Sequence, residues 1–203
     1  MTETTDRSTT AISKAQLDIL MHGRRSLYPK QFTGERIDDE VVRQLLEYAH
    51  TAPNHKKTYP WRFIVYSDRA MHDLIDFWKD YYVKHTPASE VSEKKLQAFE
   101  ERKQKTSHIL AIIMHRDEQK RLPEMEEMAA VSCAVENIYL ALNTFGLGGY
   151  WSTGKIMFSE EARAYLNVTG EDIFMGFFLL GKVKMDLPPA SRDSVESHVI
   201  WKK

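Results

Sequence analysis

The sequence predicts one domain of mixed helices and strands assembled around a single buried helix. Three observations carry that prediction. The stretch Glu124–Gly154 joins the most apolar helix of the chain to its densest glycine turn. Three apolar runs of strand length, Trp61–Tyr66, Ile109–Met114 and Ile173–Gly181, alternate with helical patterns. Finally, 203 residues of which 42% are hydrophobic are enough for a substantial core and short enough for one domain.

In chain order, the first dozen residues are polar, carry Glu3 and Asp6, and lack the apolar core of a signal peptide. They are expected to form a disordered tail, residues 1–12, on a cytoplasmic protein. Ser13 is placed to cap a helix whose apolar positions run from Ala15 to Met21 and which ends near Gly23. Arg24, Arg25 and Ser26 follow. Two explanations fit these cations: complementing the negative end of the helix dipole, or gripping an anion with guanidinium forks and a hydroxyl.

After Gly34, Asp38 or Asp39 caps a second helix that stops before Pro53. The loop Ala52–Pro60 then collects His55, Lys56, Lys57, Asn54 and Tyr59 ahead of a core strand, a usual location for binding groups, although a solvated connection would look similar. Ser67 and Asp68 begin an aromatic helix, and Ser89–Lys105, dominated by charge of mixed sign, is expected to be a solvent-facing helical excursion or a lid. Ile109–Met114 is a buried strand feeding the central helix.

That helix is apolar on nearly every face, which predicts burial on all sides by its own domain and a second subunit. Glu136 and Asn137 near its middle argue against a membrane span. Cys133 inside it is expected to be a small buried hydrophobe rather than a nucleophile. Gly146, Gly148 and Gly149 are expected to end the helix, with Tyr150–Thr153 leaving on an extended segment. Ser159 caps a short helix, and Gly176 within the last core strand predicts a bulge or a close backbone approach. Pro188 and Pro189 read as a stiff linker, and Ser197–Trp201 as a terminal strand that adds to a sheet edge, the partner's included.

Several chemistries are excluded. A formal charge of -1 gives no global field for nucleic acid or an anionic membrane. The glycines after the central helix do not fit a dinucleotide fingerprint, because the last one required falls on Trp151 and the turn follows a helix. No Walker A or paired C-x-x-C sequence occurs, so structural zinc is not expected, and Tyr150 replaces the first glycine that a nucleophile elbow around Ser152 would need. Without a side-chain nucleophile and its base, chemistry falls to a bound cofactor.

Taken together, Arg24-Arg25-Ser26, the loop Ala52-Pro53-Asn54-His55-Lys56 before Pro60-Trp61-Arg62-Phe63, the long helix, and Gly149-Tyr150-Trp151-Ser152-Thr153-Gly154 resemble the nitroreductase family over roughly Ser13 to Val183. The similarity is greatest to a small subgroup with an A-P-[DN]-H-K loop. The resemblance implies an α+β fold, a central, mostly antiparallel sheet flanked by helices, in an intertwined homodimer with FMN at the subunit interfaces. On that reading residues 13–203 are one FMN-binding domain whose C-terminal extension, from about residue 186, packs on the partner subunit.

Carried over by motif, Arg24, Arg25 and Ser26 match phosphate and ribityl contacts, and Thr51 and His55 match positions that touch the flavin. Trp151, Ser152 and Thr153 match the segment passing the FMN phosphate side. Arg192 falls where relatives carry a further basic phosphate ligand, and Ala141–Gly146 matches a region associated with the nicotinamide nucleotide. Lys56 or Lys57 is the candidate for stabilising the charge of the reduced flavin. This chain departs from the family at Tyr59, where a glutamine is usual, and at Lys57, where an amide or hydroxyl is usual. The implied activity is FMN-dependent oxidation of NADH or NADPH with transfer to a nitroaromatic or quinone in ping-pong fashion. A flavin-storing or sensing dimer, and a flavin dehydrogenase or oxidase for a dedicated metabolite, are the alternatives.

Overall fold

The computed structural model describes residues 12–184 and 191–203. The tail through residue 11 and the Pro188-Pro189 segment lie outside the described residues. Strands β1 (Trp61–Ser67), β2 (His108–Met114), β3 (Leu147–Ser152) and β4 (Ile173–Lys182) form one sheet in the order β1-β2-β4-β3. Every neighbouring pair is antiparallel. Helices α1 (Lys14–Gly23), α2 (Asp39–His50), α3 (Asp68–Lys84), α4 (Glu93–Lys105), α5 (Glu124–Leu142) and α6 (Glu160–Tyr165) surround it.

Both sheet faces are covered, which is why β2 is buried at all seven positions and reads as an unbroken apolar run. Leu110, Ile112 and Met114 point into a core shared with α2 and α5, whereas Ile109, Ala111 and Ile113 point into a second core with α3 and Phe99 of α4. In β4 the alternation changes phase. Phe174 and Phe177 both face the second core, three residues apart, because Ile112 pairs with Gly176 and Ile113 with Phe174, leaving Met175 as the extra residue of a bulge. Gly176 sits at φ 114, and a Cβ there would lie 2.6 Å from the Ser152 carbonyl oxygen. The expected bulge is therefore present, and only glycine satisfies it.

Charge fixes where β2 hands over to α5. Glu127 is fully buried and paired with Arg116, whose other nitrogen donates to the Leu122 carbonyl at 2.7 Å, while the Asp117 backbone N–H donates to Glu127 at 3.1 Å. At the other end of the chain, the Ser13–Gln16 capping box begins α1 as expected, but α1 buries none of its residues, and Leu17, Ile19 and Met21 stand exposed.

Three expectations are corrected. The segment after the central helix is a true sheet strand: Gly146 alone ends the helix, in the left-handed region, and Gly148 and Gly149 lie inside β3. A side chain at Gly149 would meet Phe178 at 2.6 Å and the Leu179 carbonyl at 2.8 Å, so these glycines serve close packing. The charged segment is, as expected, a mostly exposed helix, anchored by Phe99 buried against α3. Ser197–Trp201 is not a strand in this chain: Val195–His198 form a single 3-10 turn, followed by exposed Ile200 and Trp201. Cys133 is exposed rather than buried, because α5 packs on one face only and leaves Met125, Ala129, Ser132, Cys133 and Glu136 outward.

Candidate functional site

Helix α5 positions most of the sequence-predicted residues, through polar side chains spaced along it. At its C-terminal half, Tyr139 is the hub. Its hydroxyl accepts the Trp151 backbone N–H at 2.7 Å and lies 3.3 Å from Ser26 Oγ. Either hydroxyl can donate in this pair; when Tyr139 donates to Ser26, the Ser26 hydrogen is available to an outside acceptor. The Arg24 guanidinium lies 5.2 Å from the centre of the Tyr139 ring, and its Nε is 3.7 Å from Glu136. That is a loose, partly solvated ion pair, which leaves most of the guanidinium fork unused.

Arg192 joins this cluster by a route the sequence did not reveal. Its guanidinium donates to the Arg24 carbonyl at 2.7 Å and to the His22 carbonyl at 3.4 Å, satisfying carbonyls at the end of α1. Arg25, between Arg24 and Ser26 in sequence, is half-buried. The Leu27 N–H donates to the Gly149 carbonyl at 3.0 Å, stitching the segment to β3. Three guanidinium-bearing residues and a hydroxyl thus gather at one end of α1, against a strand whose own backbone is held by Tyr139.

Thr51 reaches the same part of α5 from α2. Asn137 Nδ2 donates to Thr51 Oγ1 at 3.2 Å and to the Tyr48 carbonyl at 3.0 Å, while the Thr51 hydroxyl donates to the Tyr48 carbonyl at 2.7 Å. His55 and Lys56 do not join it. His55 Nδ1 meets Glu126 at 2.9 Å and Lys56 Nζ donates to the Arg121 carbonyl at 3.1 Å. Ten residues of helix separate Glu126 from Glu136, about 15 Å of rise. Lys57 makes no polar contact among the described residues, so of the two candidate lysines it is the one left uncommitted.

The loop that carries these residues is strained. Lys56, Lys57 and Tyr59 all adopt positive φ, at 53°, 54° and 47°. Such conformations cost on the order of 1 kcal/mol each for residues with a Cβ and tend to persist at sites of function. They are held by Asn54, which accepts the Tyr59 N–H at 3.1 Å, and by the Tyr59 ring stacked on His50 at 5.1 Å. Thr58 Oγ1 is buried without a hydrogen-bond partner among the described residues.

At the far end of β3 the side chains divide between the two sheet faces. Trp151 Nε1 donates to the Met175 carbonyl at 2.7 Å, satisfying the backbone of the bulge, whereas Ser152 and Thr153 line a separate cavity facing α3 and α4. Sequence reasoning missed Tyr139 as the organiser and treated Glu136 and Asn137 only as evidence against a membrane. Polar groups interrupting an otherwise apolar helix on adjoining turns were the available signal. Among the described residues no group of histidine, cysteine and carboxylate side chains is placed to hold a metal ion.

The chain is similar to known proteins in sequence and fold. A family model described as Nitroreductase family matches residues 21–182. YfhC of Bacillus subtilis, named as a candidate NAD(P)H nitroreductase, is 29% identical over 163 residues, 80% of this chain and 81% of that protein. A nitroreductase-like family protein from Bacillus cereus superposes with a TM-score of 0.76 at 21% identity, covering 96% of this chain and 98% of the other. The FMN-dependent nitroreductase NfnB of Mycobacterium smegmatis, solved with NADPH, gives 0.71 at 14% identity, covering 94% of this chain and all of the other. With the family model spanning most of its length, and the antiparallel sheet flanked by helices in place, the chain belongs to the Nitroreductase family.

Proposed function

We propose that this chain is an FMN-dependent NAD(P)H oxidoreductase that passes reducing equivalents to an oxidised organic acceptor such as a nitroaromatic or quinone. The observation that carries the reading is the cluster at the end of α1. Arg24 and Ser26 are held against Tyr139, with Arg192 alongside, and Arg24 has only a 3.7 Å contact to Glu136 for neutralisation. This donor set fits a phosphate monoester: guanidinium forks for its oxygens and an outward hydroxyl hydrogen from Ser26. FMN, when bound, supplies the two-electron carrier between nicotinamide and acceptor.

The chain's own part is binding and positioning. Arg24, Arg25, Ser26 and Arg192 hold the phosphate, and Trp151, its backbone N–H bound to Tyr139, stands beside it. Thr51 and His55 contribute from the α2 side, and Lys57 offers an uncommitted cation to the reduced flavin's negative charge. Two separated groups of residues become one site if a second copy of the chain brings its own loop alongside. The exposed stripe of α5, the exposed apolar residues of α1, and Ile200 and Trp201 are the surfaces such a homodimer would cover.

The test is steady-state oxidation of NADH and NADPH with and without a quinone or nitroaromatic. Rapid oxidation only when the acceptor is present, with parallel double-reciprocal lines, supports the ping-pong oxidoreductase. Flavin binding without acceptor-dependent oxidation would instead identify a storage or sensing protein.

A further inference from the structure

Helices α3 and α4 and the turn after β3 enclose a cavity of about 380 Å³. That is within the range of small-ligand pockets. Its apolar walls are aromatic: Trp78, Tyr81, Tyr82 and Phe99. Its ionisable lining is of one sign only, with His85, Lys95, Arg102 and Lys155 and not one carboxylate. The other large cavities each contain carboxylates. One of about 530 Å³ sets Lys79 and Lys84 against Asp80, Glu93 and Glu100, and one of about 610 Å³ sets Lys30, Lys105 and Lys184 against Glu35.

On helices α3 and α4, Arg69, Lys79, Lys84 and Lys103 each have a carboxylate partner. Among the described residues, Arg102, Lys95 and Lys155 in this cavity lack one, as do Lys94 and Lys105 of α4, but the first three alone line this aromatic pocket. Of the cavity's cations only His85 has a carboxylate partner, at 3.3 Å from Glu161. Instead, Arg102 lies 4.6 Å from the Trp78 ring centre and 4.8 Å from that of Phe99, and Lys95 Nζ sits 4.0 Å over Tyr82. An aromatic face steadies a cation without neutralising it and leaves its N–H donors free for an anion. Ser152, Thr153 and Gly154 form the remaining wall, so the cavity abuts the segment that follows Trp151.

We propose that this cavity binds the oxidised acceptor and that the acceptor is an aromatic anion. Its ring packs on Trp78 and Tyr81, and its oxyanion is taken by Arg102 with Lys95. This rests on the oxidoreductase reading above and names its substrate class.

The test uses the flavin-loaded full chain, with 4-nitrobenzoate and its uncharged counterpart 4-nitrobenzamide as probes. Binding is measured by calorimetry, and NADH-driven reduction is measured separately. The expected result is that wild type binds the acid at least about tenfold more tightly than the amide, the scale of one hydrogen bond to a charged group. Arg102→Gln should abolish that preference by lowering acid affinity, and Arg102→Lys, which keeps the charge, should retain part of it. Equal affinity for both probes in wild type, or a preference that survives Arg102→Gln, overturns the proposal. Displacement of the acid by adenosine 2′,5′-bisphosphate at lower concentration than by 4-nitrobenzoate itself would overturn it too, in favour of the dinucleotide phosphate. A binding preference with no reduction of either probe sinks the oxidoreductase reading and leaves the anion pocket standing. Equal reduction of both, without a binding preference, does the reverse.

Discussion

Replacing Tyr139 by phenylalanine removes one oxygen and leaves the ring in place. The edge contact with Phe178, at 4.7 Å, and the face offered to Arg24 both survive. The Trp151 N–H, which donated to that oxygen at 2.7 Å, loses its acceptor, and Ser26 loses its neighbour at 3.3 Å. A partly buried donor left unsatisfied costs about 1–2 kcal/mol, which for a domain of this size lowers Tm by about 2–8 °C. If the hydroxyl also fixes Ser26 for the phosphate, FMN affinity should fall about five- to tenfold, the equivalent of ~1 kcal/mol. Thermal unfolding of the flavin-free protein and fluorescence titration with FMN read the two effects separately. A lowered Tm with unchanged FMN affinity would show that Tyr139 merely holds β3. No change in either would refute the bonding network itself.

Other outcomes follow from the same geometry. Glu127→Gln strands the mostly buried Arg116 charge, and breaking such a pair costs about 3–5 kcal/mol, so calorimetry should show Tm lower by about 6–20 °C; a loss of only a degree or two would mean the pair is solvated. Acid should destabilise the fold. The Arg121 side chain and backbone N–H hold the Asp117 carboxyl at about 2, the His108 bond lowers that of Asp39, and the Arg36 bond lowers that of Asp68. Carboxyls depressed in the folded state give stability that is present above about pH 4 and lost as pH falls towards 2. A melting temperature constant from pH 5 to pH 2 would contradict this. Cys133, exposed on the single chain, should resist a bulky maleimide in native protein and react after dilution or mild denaturation if a second copy covers α5; immediate full labelling at high concentration would place the interface elsewhere.

Much of the architecture was legible because burial on both sheet faces leaves a strong signature. The runs that became β2 and β4 are almost wholly apolar, and the helix that became α5 is apolar with few interruptions. Gly176 announced its bulge because no other residue tolerates that φ beside the Ser152 carbonyl. Strand β3 was harder to see, since Gly148 and Gly149 carry no side chain to give a period, and the strand exists only through pairing with a segment about thirty residues away. Ser197–Trp201 showed the converse: β-forming residues specify no strand until an edge is offered.

The candidate site was legible in its charged members and not in its organisation. Arg24 and Ser26 are gathered by Tyr139 and Thr51 is held by Asn137, both on α5, and no local pattern encodes a contact across 113 residues such as Ser26 to Tyr139. The choice between Lys56 and Lys57 depended on backbone geometry, which sends one to the Arg121 carbonyl and leaves the other unbound. His55 likewise paired with Glu126 rather than with the cluster at the end of α1. The acid-free lining of the α3–α4 cavity was hidden for another reason. The sequence between 89 and 105 mixes charges, and only the fold sorts Arg102 and Lys95 onto the aromatic side.

The central claim is that the end of α1 is built to hold the phosphate of a flavin. The most direct measurement is the visible absorption spectrum of freshly purified protein, followed by chromatography of what heat denaturation releases. The account predicts a flavin spectrum, FMN as the released species, and a loss of bound flavin in Arg24→Gln. A protein that is colourless as purified and stays colourless after incubation with FMN would contradict it.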